Sequence, residues 1–241
     1  MIDKNLTLKH IGDGATLLID KPLQWTSFDA VNKLKWLLKK SFGKNFKIGH
    51  AGTLDPLATG LLVVCTGKST KTIQGIQDAV KEYTGSFFIG ATRPSFDRET
   101  EIDAHFNTDH ITDVLIHATA LQFMGNLMQD PPVYSAIKKD GKPAYINARK
   151  GIDMVMQPRN ITIEAFEITK IELPLVEFRI VCSKGTYIRS IAQDFGKALQ
   201  AGAYLNSLCR TRIGNYLLSN ASSMDEMIEQ INQLTEEGIP S

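Results

Sequence analysis

Residues 49–60 read GHAGTLDPLATG and run directly into the apolar stretch Leu61-Leu62-Val63-Val64-Cys65. This composition suits neither a helix nor a strand. Gly49, Gly52 and Gly60 admit backbone angles closed to other residues, and Pro56 keeps Asp55 out of the helical region. The apolar run behind them has the composition of a buried strand. One carboxylate is therefore expected on a stiff, glycine-bounded loop that feeds into the core, where rigid scaffolds tend to carry functional groups. Asp-Pro and Gly are also ordinary turn chemistry, so the loop alone assigns no role.

A chain of 241 residues can form one large or two small domains with a substantial core. At 43% hydrophobic and 22% charged, its composition is that of an ordinary soluble globular protein. No apolar run approaches the roughly 20 residues that span a bilayer, and the N-terminus lacks the apolar core of a signal peptide. Cys65, Cys182 and Cys209 are widely spaced and odd in number, which favours buried free thiols over disulfides or a zinc site. A cytoplasmic setting is expected, with no membrane partner.

The net charge of +1 does not announce a nucleic-acid binder. Its distribution is more telling. Lys33, Lys35, Lys39, Lys40, Lys44 and Lys47 lie between Asp29 and Asp55 with no acid among them. Such a stretch can neutralise phosphates, although a solvated helix face reads the same way. The tail is acidic, with Asp225, Glu226, Glu229, Glu236 and Glu237.

Periodicity predicts a strand over 15–19, then a helix capped by Thr26 or Ser27 with Val31, Leu34, Leu37 and Leu38 on its apolar face. A second helix is expected from Ser69 through Ile73, Ile76 and Val80. A strand over 81–90 follows, alternating through Tyr83, Phe87 and Ile89. Next comes a helix over about 112–123, broken by Asp130-Pro131-Pro132. The pattern then predicts a hairpin around Asp140-Gly141 and a short helix over 144–150. Strands over 161–173 and 176–182 precede a helix carrying Ile188, Ile191, Phe195 and Leu199. A last strand over about 205–218 carries Arg210 and Arg212. Strands and helices do not alternate strictly, so an α+β fold around a mostly antiparallel sheet is expected. Gly67-Lys68-Ser69-Thr70 imitates the end of a phosphate-binding loop, but Leu62 stands where that motif needs a glycine.

The stretch GHAGTLDPLATGLLVVCTGKSTK resembles the signature of the bacterial tRNA pseudouridine-55 synthases, the TruB family. Four further segments agree in order and spacing: Lys21-Pro22 with Thr26-Ser27, Lys81-Glu82-Tyr83, Pro131-Pro132-Val133-Tyr134-Ser135-Ala136, and Ser183-Lys184-Gly185-Thr186-Tyr187-Ile188-Arg189. The resemblance implies a pseudouridine synthase fold with its active-site cleft across a mixed central sheet. It implies isomerisation of uridine to pseudouridine in the T-loop of tRNA, with no cofactor, no metal and no guide RNA, by a monomer. Asp55 is then the essential acid, acting either as a nucleophile at C1′ or as a base at C2′. By the same resemblance Arg189 pairs with Asp55, Tyr83 stacks on the target base, and Tyr187 contacts the acid. Leu208 lines the apolar side of the base pocket, His50 enters the T-loop, and Lys21 supports the loop. Gly52, Thr53 and Leu54 complete the substrate-binding stretch. The lysines of the first helix, with Arg210 and Arg212, are candidate phosphate contacts.

An insertion over about 109–157, with Lys138, Lys139, Lys142, Arg149 and Lys150, is expected to close over the T-stem-loop. The chain is expected to be a single domain over 1–241, ending in a short acidic helix over about 222–232 and carrying no PUA domain. Two local departures stand out: Gln24 replaces the usual glycine, and Arg93-Pro94-Ser95 replace the usual threonines and acid while Asp97 persists. The rival of another class is a non-catalytic tRNA-binding or folding module on the same fold. The guide-RNA-dependent relatives share GTLDP but follow it with a different pattern. A glycoside hydrolase needs a second positioned carboxylate, which the sequence does not offer.

Overall fold

The computed structural model describes residues 6–132, 134, 138–139, 142–143 and 157–237. In chain order the elements are α1 (Leu8–Gly14), β1 (Thr16–Lys21), α2 (Ser27–Phe42), β2 (Ile48–His50), β3 (Ala58–Thr66), α3 (Ile73–Asp78) and β4 (Lys81–Ile89). They continue with β5 (Ala91–Thr92), β6 (Ala104–His105), α4 (Asp113–Leu121), β7 (Gly125–Gln129), β8 (Lys138–Lys139), β9 (Lys142–Pro143) and β10 (Arg159–Glu172). The last are β11 (Leu175–Cys182), α5 (Ile188–Ala198), β12 (Ala203–Ile213), β13 (Tyr216–Leu217), β14 (Ser222–Ser223) and α6 (Met224–Glu237). The chain falls into two compact units, Met1–Tyr83 with Cys209–Ser241, and Thr84–Leu208.

In the first unit the strand order is β14-β1-β3-β12, with β2 on β3 and β13 on β12. β1 runs antiparallel to β3, from Thr16 opposite Cys65 to Lys21 opposite Gly60, and parallel to β14. β3 is buried along almost its whole length, which explains its unbroken apolar run. Leu62 and Val64 pack on one face with Leu17, Ile19, Leu34, Leu38 and Ile231. Leu61, Val63 and Cys65 pack on the other with Ala51, Ile76 and Ile213. Full burial of a leucine such as Leu34 contributes about 2 kcal/mol.

α2 begins as the sequence predicts. Thr26 and Asp29 form a reciprocal capping box, and Ala30, Leu34 and Leu38 face the core. The sequence reading missed α1, capped by the Thr7 hydroxyl, because only Ile11 of its face is buried. It also expected a helix from Ser69. Residues Gly67–Thr72 instead form a 3₁₀ turn, in which the Thr70 and Thr72 hydroxyls bond the carbonyls three residues back. At the C-terminal end, Ser223 and Glu226 make a capping box and the helix continues to Glu237.

In the second unit the order is β12-β4-β11-β10-β7. The long antiparallel hairpin β10–β11 carries Phe166 and Phe178, which both meet Phe87, while Phe166 also meets Phe195, with ring centroids 4.3 to 6.2 Å apart. α4 starts at Thr112, whose hydroxyl caps it. Its predicted end was too late. The chain turns after Leu121 and forms β7, antiparallel to β10, before reaching Asp130. β8 and β9 pair antiparallel, as a hairpin there requires. The turn Asp140-Gly141, the helix expected over 144–150 and the residues Val133, Ser135 and Ala136 lie outside the described residues. The α+β class with a large, mostly antiparallel sheet is borne out. Among the described residues, no helix is long and apolar enough to cross a membrane.

Candidate active site

The loop carrying Asp55 is held at several points within the first unit. Its entry is fixed by the Ala51 N–H, which donates to the Val63 carbonyl at 2.8 Å. Ala51 and Leu54 are buried and anchor the backbone before the acid. The Ser27 hydroxyl accepts from the Leu54 N–H at 2.8 Å and donates to the Leu54 carbonyl at 3.2 Å. After the acid, the Ala58 N–H closes a turn on the Asp55 carbonyl at 3.1 Å. The Gln24 N–H donates to the Pro56 carbonyl at 2.8 Å, with Gln24 at φ 69°. That left-handed angle favours glycine and costs a side chain about 1 kcal/mol. It gives the Gln24 departure a physical meaning, because the position is one where glycine is unstrained.

Beneath the loop lies a residue the sequence reading misplaced. Arg210 was expected at the surface as a phosphate contact, but only 1% of it is exposed. Its Nε donates to the Leu61 carbonyl at 2.8 Å, Nη2 to Gly52 at 3.0 Å, and Nη1 to Thr53 at 3.4 Å. It also hydrogen-bonds the Tyr83 side chain and interacts electrostatically with Asp55. Burial pulls its pKa down, against the pull of Tyr83 and Asp55. β12 lies beside β3, and at position 210 the loop at Gly52 and Thr53 covers the side chain, whereas Arg212 is half-buried and pairs with Glu82 at 3.7 Å. A usable signal was present in Gly60, whose missing side chain leaves room for the Arg210 backbone.

Lys21 closes β1 and is fully buried. Its Nζ donates to the Pro22 carbonyl at 2.9 Å and to Trp25 at 2.6 Å. It therefore shapes the segment Pro22–Trp25, from which the Gln24 N–H reaches the Pro56 carbonyl. Burial lowers its pKa from 10.5 to about 8, opposed by the Asp55 carboxylate and reinforced by Arg210. This lowering corresponds to about 3 kcal/mol. In the window from about 8 to 10.5 the unfolded chain holds the proton that the folded chain has released. Stability contributed by this group therefore rises with pH across that window. Lys21→Met removes the dependence. Thermal unfolding of the variant from pH 7 to 10.5 is expected to show its stability, relative to the parent, falling by about 3 kcal/mol. A pH-independent difference would rule out the buried charge.

His50 ends β2 and is half-buried. Burial first, then Arg210, lowers its pKa, which favours the neutral imidazole. Tyr83 is buried in β4, 8% exposed, with its side chain on Arg210. Asp55, Lys21, Tyr83 and Arg210 thus form one interacting group in the first unit.

The remaining predicted residues belong to the second unit. Arg189, in the first turn of α5, is 4% exposed, and its Nε stands 3.6 Å from the Asp97 carboxylate. Asp97 is itself buried and accepts from the Glu99 N–H at 2.9 Å. The departure noted around Arg93 has a local account, because its guanidinium lies 4.7 Å from the Tyr204 ring centroid. Sequence reasoning did not single out Gln129. Its amide accepts from the Tyr187 N–H at 2.8 Å and donates to the Tyr187 carbonyl at 3.1 Å, fixing the start of α5. Leu208 is half-buried in β12.

Among solved structures, the chain is similar over its whole length to one in a Cbf5–Nop10–Gar1 complex, with a TM-score of 0.73 and 26% identity. It spans 63% of that chain. It is similar over 97% of its length to one in an H/ACA RNP bound to a substrate RNA containing 2′-deoxyuridine, with a TM-score of 0.70, 25% identity and 58% of that chain covered. A chain with this mixed sheet is a pseudouridylate synthase by its family match. Residues 39–188 match the TruB family pseudouridylate synthase N-terminal domain, and the chain belongs to that family. It is 61% identical over 218 residues to the tRNA pseudouridine synthase B of Flavobacterium johnsoniae, covering 90% of this chain and 95% of that protein. Against the protein of the same name from Chloroherpeton thalassium it is 48% identical over 225 residues, covering 93% of each.

Proposed function

We propose that this protein isomerises uridine to pseudouridine at position 55 in the T-loop of tRNA, without a guide RNA, as a cytoplasmic monomer. The observation that carries this reading is Asp55 on a loop clamped by Ser27 and Arg210, with Lys21 and Tyr83 in the same charged group. The similarity to proteins named tRNA pseudouridine synthase B favours tRNA as the substrate.

The reaction breaks the C1′–N1 bond, turns the uracil, and joins C5 to C1′. A proton then leaves C5. Asp55 serves this chemistry by attacking C1′ or by removing the C2′ proton. A single carboxylate is sufficient, because the uracil is retained and no water attacks. By the family resemblance Arg189 and Tyr187 serve the same reaction. Tyr83 stacks on the base, and the same resemblance assigns Leu208 to the substrate. Extruding a stacked uridine costs a few kcal/mol, and the neutral His50 ring suits the vacated space. The exposed Lys35, Lys39 and Lys40 of α2 supply positive charge for phosphates.

The test is incubation of the protein with an unmodified tRNA transcript and no other RNA, followed by pseudouridine mapping by carbodiimide primer extension. Product at the T-loop uridine is expected. A transcript left unchanged would overturn the proposal.

A further inference from the structure

The Arg210 fork meets acceptors on both sides of the catalytic acid. Gly52 and Thr53 precede Asp55, Leu61 follows it, and Tyr83 comes from a different strand. A guanidinium is planar and carries five donors in fixed directions, so satisfying these acceptors together sets their mutual geometry. A lysine cannot do so, because its donors radiate from one nitrogen. The packing around the fork admits little slack. A Cβ on Gly60 would stand 2.5 Å from the Arg210 carbonyl oxygen, and one on Gly52 would stand 3.4 Å from Nη1. Burying a charge this completely is unfavourable, and apolar side chains commonly hold two strands together at lower cost. The charge therefore needs a use besides cohesion.

We infer that Arg210 is a positioning residue for the isomerisation, joining the Asp55 loop and the Tyr83 hydroxyl into one rigid unit. The acid that works on the sugar and the phenol that faces the base then keep a fixed separation while the uracil turns between them. The inference rests on the function proposed above. It assigns Arg210 no contact with RNA.

Single-turnover measurements with protein in excess over tRNA test it, because an unfolded fraction then leaves the rate constant unchanged. Arg210→Lys keeps the charge and loses the fork; Arg210→Gln keeps part of the donor set and loses the charge. For Arg210→Lys, the tRNA Kd is expected within about threefold of the parent and the rate constant about 100-fold lower, as misplacement by about an ångström produces. Tyr83→Phe combined with Arg210→Lys is expected to be no slower than the slower single variant, since both break the same link.

An Arg210→Lys rate within about threefold of the parent overturns the inference, as does a fully additive double variant. Should the lysine variant fail to fold by circular dichroism, the same comparison on Arg210→Gln decides in the same way. Product from the parent but an unimpaired variant overturns the role of Arg210 alone. No product from the parent overturns the functional reading, and the inference with it.

Discussion

Asp55→Asn is expected to lower the single-turnover rate at least about 10⁴-fold while leaving the tRNA Kd within about threefold. The amide has the shape of the carboxylate, and bonds on either side of it run to backbone groups. The Ala58 N–H still meets the carbonyl of residue 55, and the Ser27 hydroxyl still holds Leu54. What disappears is charge. An amide neither attacks C1′ nor takes the C2′ proton. The loss also removes an anion facing Lys21 and Arg210, so the Lys21 pKa should fall further. Pseudouridine mapping together with filter binding checks both halves. Measurable turnover in the variant would remove Asp55 from the chemistry. A protein that only binds or folds tRNA would be indifferent to the substitution, which separates the enzyme from its rival of another class.

Gly60→Ala is expected to be the most damaging small substitution in the first unit. Gly60 sits at φ 98°, a region a side chain rarely adopts. Its Cβ would meet the Arg210 carbonyl oxygen at 2.5 Å, the Arg210 nitrogen at 2.7 Å and Cys209 Sγ at 2.8 Å. Two of these are backbone atoms of the neighbouring strand and cannot swing away. Strain and overpacking together should cost about 3 kcal/mol or more. Gly75 in α3 is the control, since nothing lies within 4 Å of its Cβ position. Gly75→Ala should stabilise by about 0.5 to 1 kcal/mol through helix propensity. Urea unfolding of both variants is the measurement. Equal midpoints would mean that β3 and β12 do not approach as described.

The loop was legible because its glycines and Pro56 act locally, through backbone angles that hardly depend on context. The same holds for Thr26 and Asp29, whose capping box needs only residues three apart. Arg210 was not legible, since an arginine in a strand is exposed by default and its burial depends on which strand lies alongside. β7 escaped for a related reason: Gly125–Gln129 has little alternation of its own and is a strand because β10 pairs with it. Lys21 was expected to support the loop, but its loss of a proton near pH 8 required knowing how completely it is buried.

One hydroxyl has a consequence for motion. Ser27 serves both backbone groups of Leu54 while occupying the first turn of α2, whose other side is locked into the core by Leu34 and Leu38. To release Leu54 and lift the loop, both of these bonds must break together, because a single hydroxyl makes them. The residue before the acid is thus tethered to a packed helix, which favours slower opening than an untethered loop has. A turn with a single carboxylate is thereby tied at one atom to the interior beneath it.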